Sequence, residues 1–115
     1  MSRKRDLARV KVLAIAGLAL CALQSAHAEI WSDTTKIVTL YPSATGYYFL
    51  TDYSNTTYST CDGGRRWEIP KSYENYDALI ASLLLAFAQD RPIRLVIDDV
   101  PPNCAGRVNR FKVFP

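Results

Sequence analysis

Residues 3 to 28 impose the strongest constraint on what this chain can fold into. Arg3, Lys4, Arg5, Arg9 and Lys11 precede an uncharged run from Val12 to Leu23, which leads to Ala26-His27-Ala28. A basic start, a short apolar stretch and small residues around a cut form the layout of a secretory signal peptide. The run is too short for a bilayer core, which takes about 20 apolar residues. The expectation is therefore a cleaved signal segment over 1–28 and one mature domain over 29–115, secreted or periplasmic, with no membrane span. Leu18-Ala19-Leu20-Cys21 resembles a lipoprotein box only superficially, because the bulky Leu20 stands where a small residue is needed.

Cleavage would overturn the charge balance. The full chain has 115 residues, with 14 Lys and Arg against 11 Asp and Glu, a formal charge of +3. Residues 29–115 keep nine basic and ten acidic side chains, so the mature domain is close to neutral. Such a domain lacks the electrostatic footprint of a phosphate-backbone binder, which argues against nucleic acid. His27, the only histidine, leaves with the signal, and with it any Ser-His-Asp or Cys-His dyad and any imidazole ligand. No enzyme, cofactor or metal is expected. All 13 aromatic residues stay in the mature part.

The surviving cysteines, Cys61 and Cys104, are expected to form a disulfide, since an oxidising compartment favours pairing and two cysteines without histidine make a poor zinc site. Between and around them the pattern is mainly β. Thr34 to Tyr41 is β-rich and ends at the turn-forming Pro42-Ser43-Ala44-Thr45-Gly46. Tyr47 to Thr51 then completes a hairpin. Tyr58 to Cys61 reads as a short third strand, Asp62-Gly63-Gly64 as a tight turn, and Arg65 to Ile69 as its extended continuation.

The spacing of Tyr76, Leu79, Ile80, Leu83, Leu84 and Phe87 predicts a helix over 74–89, capped by Ser72 or Asn75, with that stripe facing the core. Its other side carries Ala78, Ala81, Ser82, Leu85 and Ala88 where a solvent-facing helix usually carries Lys and Glu. Ile93 to Asp98 alternates as a strand with Ile93, Leu95 and Ile97 on one face, and Arg107 to Phe114 forms the last strand. The fold class expected is α+β, mainly β: a small antiparallel barrel or curled sheet with one helix between strands 3 and 4.

The order of elements, with Tyr48-Phe49, Cys61, Trp67, the helix start from Tyr76 to Leu84 and Ile93-Arg94-Leu95-Val96-Ile97, resembles the binding (B) subunits of subtilase cytotoxin and related pertussis-like toxins. The resemblance implies an oligomer-binding (OB) fold, a homo-oligomeric ring of five, a toxin A subunit as partner, and recognition of cell-surface glycans. It also implies that Ser32, in the pair Ser32-Asp33, contacts the sugar.

A glycan site needs aromatic faces for sugar C–H surfaces and a few polar groups to fix orientation. Ser32, Asp33, Trp31 and Tyr53 offer those groups, and Arg65 offers a bidentate partner for a sugar carboxylate. The adjacent carboxylates Asp98 and Asp99 lack a third nearby acid, and read as solvation of a strand end. The alternative to a glycan-binding domain is a monomeric envelope protein or protein inhibitor that contacts another protein through aromatic loops.

Overall fold

A computed structural model describes residues 28–115, and the signal segment expected over 1–28, apart from Ala28, lies outside the described residues. Six strands and one helix follow in the order β1 (Ile30–Trp31), β2 (Ile37–Pro42), β3 (Gly46–Thr51), β4 (Arg66–Pro70), α1 (Tyr76–Ala88), β5 (Ile93–Ile97) and β6 (Gly106–Val113). The strands form one sheet in the order β1-β5-β6-β4-β3-β2. All neighbours run antiparallel except β4 and β6, which are parallel through Trp67↔Gly106 and Glu68↔Arg107. No helix among the described residues is long and apolar enough to cross a membrane.

Three expectations are corrected. The sheet is mixed, because α1 and β5 intervene before β6 returns alongside β4. It is open, with β1 and β2 as its edges. The helix lies between the fourth and fifth strands, because Ile30–Trp31 forms a two-residue strand ahead of the hairpin while Tyr58 to Cys61 does not form one. In that stretch the Asn55 carbonyl accepts the N–H groups of Tyr58 and Ser59 at 3.4 and 3.1 Å, which turns the chain and leaves a lone bridge, Ser59↔Asn103.

Alternation on the strands sends Phe49, Trp67, Ile69, Ile93, Leu95 and Val108 into the core, where each is fully buried. Gly106 passes directly beneath the indole of Trp67, and a Cβ there would lie 2.5 Å from Cζ3. α1 covers this core with Leu79, Leu83 and Ala86, flanked by Tyr76 and Ile80. The expected stripe is thus rotated. Leu84 and Phe87, placed in it by spacing, are 42% and 41% exposed, and Leu85 is 53% exposed. From Ala78 to Ala88 the helix bears no charged side chain at all.

The disulfide joins Cys61 and Cys104, linking the turn before β4 to the β5–β6 loop. Backbone bonds run beside it from Cys61 N to the Cys104 carbonyl (3.1 Å) and from Thr60 N to the Asn103 carbonyl (2.9 Å). The turn that follows needs left-handed backbone at Asp62, Gly63 and Gly64, with φ of 51°, 66° and 84°. Two glycines satisfy most of that demand at no steric cost.

Candidate functional site

The bend between β1 and β2 determines which side chains reach solvent. Ser32 is fully buried. Its N–H donates to the Leu95 carbonyl at 2.9 Å, its Oγ accepts from Leu95 N at 2.8 Å and donates to the Asp33 carbonyl at 2.7 Å. Three residues on, Thr35 exchanges backbone bonds with Ile93 at 2.8 Å, and its Oγ1 accepts from Tyr53 N at 2.9 Å. With both anchors fixed to β5, the intervening Asp33 and Thr34 point outward and are exposed.

They open onto a cleft of about 490 Å³ lined by Asp33, Thr34, Thr35, Lys36, Asp52, Tyr53 and Pro92. At its rim, Lys36 Nζ lies 3.0 Å from Asp90 Oδ2. Tyr53 is held by stacking on Trp67, with ring centroids 5.9 Å apart and planes 19° from parallel, while its hydroxyl accepts from Asn55 Nδ2 at 3.1 Å. Two carboxylates face one lysine that is already engaged. Such a lining can hold neutral hydroxyl groups by accepting their protons, and it repels a sugar acid.

Of the five residues singled out for glycan contact, the cleft brings together Asp33 and Tyr53. Ser32 lies beneath it with its polar atoms committed to the backbone. Trp31 sits on the opposite, outer side of the sheet, with Nε1 donating to Glu29 at 3.1 Å. Arg65 is exposed beside the turn, its Nε 3.4 Å from the Asp62 carbonyl, outside the cleft lining. Sequence reasoning missed Thr34, Thr35, Lys36, Asp52 and Pro92. The polar run Thr34-Thr35-Lys36 and the neighbour of Tyr53 were the available signals.

The remaining polar clusters are occupied by contacts within the fold. Asp98 accepts from the Tyr73 hydroxyl and from Asn109 Nδ2, beside a second cleft of about 400 Å³ lined by Tyr73, Glu74, Asn75, Asp98 and Asn109. Burial, then the hydrogen bond to Asp98 and its negative charge, hold the Tyr73 phenol well above the usual tyrosine range. Asp99 instead accepts from Tyr58 at 3.4 Å, and desolvation together with Asp99 raises that phenol as well. The adjacent acids therefore serve different tyrosines. Asn75, at the N-terminus of α1, makes no side-chain cap and donates to the Asn109 carbonyl at 3.4 Å. Among the described residues no group of three His, Cys, Asp or Glu side chains is placed to hold a metal.

Comparison with family models, with curated proteins and with solved structures finds no match to this chain.

Proposed function

We propose that this chain is an exported, non-catalytic recognition domain whose cleft between the β1–β2 bend and the β3 end binds hydroxyl groups of a cell-surface glycan. The observation that carries the reading is the convergence of Asp33, Thr34, Asp52 and Tyr53 on one open cleft, built on a buried frame that holds the bend still. The disulfide supports an oxidising, extracytoplasmic setting.

Strand order supports an OB-type topology on an open sheet as the finer fold. With β1 and β2 taken as two halves of one bent strand, that strand borders β3 on one side and β5 on the other. The bridge Thr35↔Ile93 and the bond from Asp52 N to the Lys36 carbonyl at 3.3 Å lie where the halves meet. Counted that way, the strand order is the one expected of the Greek-key OB arrangement that binds oligosaccharides, carried here on a sheet that stays open.

The uncharged stretch of α1 from Ala78 to Ala88 supports assembly. Leu84, Leu85 and Phe87 expose an apolar surface of the kind that marks protein contacts, and a second copy of the chain is the partner proposed, in a ring of five with a toxin A subunit if the resemblance to B subunits holds. A glycan array tests the binding. Retention of neutral and fucosylated or galactosylated glycans is expected, with loss of at least tenfold in Asp33→Ala and Asp52→Ala; equal binding by these variants overturns the cleft reading. Sedimentation of the exported protein tests the assembly, and a monomer at every concentration, unaltered by Leu85→Lys, removes it.

A further inference from the structure

The outer face of β1, β5 and β6 concentrates positive charge that the cleft does not use. Alternation turns Arg94 and Val96 of β5, and Arg110 and Lys112 of β6, away from the core. The register sets Arg94 opposite Lys112, Val96 opposite Arg110, and Trp31 opposite Val96. The Trp31 indole lies among them, with the Arg94 guanidinium 5.1 Å and the Lys112 ammonium 5.0 Å from a ring centroid. Arg94 is held in place by donating from Nε to the Ser32 carbonyl at 2.8 Å. Arg110 pairs with Glu29.

Charge is strongly polarised as a result. Around Trp31 three cations, Arg94, Arg110 and Lys112, stand against the one carboxylate of Glu29, while the rest of residues 29–115 holds six cations against nine carboxylates. Like charges directly opposite on neighbouring strands destabilise a sheet, and the indole offsets only part of the repulsion between Arg94 and Lys112. An anion seated between them would relieve the remainder.

We propose that this face binds a sulfated, polyanionic glycan. Arg110 and Lys112 stand two residues apart on β6, about 7 Å, and Arg94 lies on the neighbouring strand, about 5 Å across from Lys112, so a ligand that engages all three must itself present more than one anionic group. A single sugar carboxylate can reach Arg94 and Lys112 but leaves Arg110 to Glu29, so one charge does not engage all three cations. Three cations on a domain otherwise negative form too small a footprint for nucleic acid. The single indole, with cations on it and no exposed aliphatic neighbours on this face, does not suit insertion into lipid. The class of ligand rests on the glycan reading above, but the site is separate from the cleft.

The exported protein is titrated with a sulfated heparin-type oligosaccharide, a monoanionic sialylated trisaccharide, a neutral oligosaccharide, a short single-stranded oligonucleotide and anionic phosphatidylglycerol vesicles, while tryptophan emission and the salt dependence of Kd are followed. The sulfated ligand is expected to bind tightest, with a slope of log K against log salt of about −2. Lys112→Gln and the double variant Arg94→Gln/Lys112→Gln are expected to weaken it roughly fivefold and twentyfold, respectively, and to flatten the slope. Lys71→Gln, the same charge loss elsewhere on the surface, is expected to change Kd less than twofold. Trp31→Phe should abolish the emission change, because Trp67 is buried. Equal weakening by Lys71→Gln, or tighter binding of the oligonucleotide, the vesicles or the monoanionic sugar, overturns the proposal. Absence of any sulfated-glycan binding does so too, whereas loss of neutral-glycan binding in Asp52→Ala bears only on the cleft.

Discussion

Replacing both Cys61 and Cys104 by serine removes the one covalent cross-link in the described domain, and the size of the effect can be worked from chain length. The bridge spans 43 positions of sequence. A closed loop of that length restricts the unfolded ensemble by roughly 13 cal/mol/K, or about 4 kcal/mol at 25 °C, in the chain-entropy treatment. The folded side of the balance changes little, because the backbone bonds from Cys61 and Thr60 to Cys104 and Asn103 hold the same two segments together without the sulfurs. The Asp62–Arg66 ion pair at 2.6 Å also stays in place. A loss of about 4 kcal/mol is a large share of the roughly 5–15 kcal/mol that a domain has.

Urea unfolding of the double-serine variant beside the oxidised protein, followed by circular dichroism, measures the difference directly. The variant should unfold at much lower urea, with a slope no smaller than that of the oxidised protein, since its unfolded chain is free to expand further. A difference under about 1 kcal/mol, set against the 2–5 kcal/mol typical for small exported domains, would refute the assignment of the stabilisation to the unfolded chain. Native hydrogen-exchange protection at positions 60 and 61 that disappears in the variant would likewise refute the claim that the folded side is unchanged.

Gly106→Ala drives a methyl group to within 2.5 Å of the Trp67 ring; a cost of about 1–3 kcal/mol from overpacking is expected in the same urea assay. Thr51→Val removes the oxygen that accepts from Trp67 Nε1 at 2.9 Å and leaves a buried indole N–H unpaired, so a loss of about 1–3 kcal/mol is expected and a neutral result would mean another acceptor takes over. The raised Tyr73 phenol binds its proton more tightly in the folded state than in the unfolded one. Its contribution is therefore complete below the unfolded value near 10 and is lost as pH rises through the higher folded value. Tyr73→Phe is expected to flatten the decline of stability between pH 9.5 and 11, with the phenol of Tyr58 accounting for part of the slope that persists.

Elements whose signal is local were legible from the sequence. Ile93, Leu95 and Ile97 alternate because one face of β5 is core, and all three are buried. Asp62-Gly63-Gly64 marks a turn whose positive φ values favour glycine. The disulfide followed from the number of cysteines left after the apolar run. What depends on distant partners did not show. β1 is two residues long and has no period of its own; it exists because Ile97 and Val96 pair with it. On α1 the apolar residues run nearly all the way round, so spacing alone could not fix which side faces inward, and Ala86 is buried where Leu84 and Phe87 are not. Ser32 is a polar residue whose burial makes sense only beside Leu95 N. The cleft draws on the β1–β2 bend, the end of β3 and the turn before β5, and no motif announces a site assembled from three segments.

The bond between Ser32 and Leu95 joins positions 63 residues apart. A ribosome delivers a chain from its amino end, so Ile30, Trp31 and Ser32 are made early and must wait for β5, while β2 and β3 are free to zip up as soon as both have emerged. The closing seam of the molecule is therefore set by its earliest-made strand. During synthesis that strip stays unmatched, and its brevity, two residues of β1, limits how much edge is open to a stray partner in the interval.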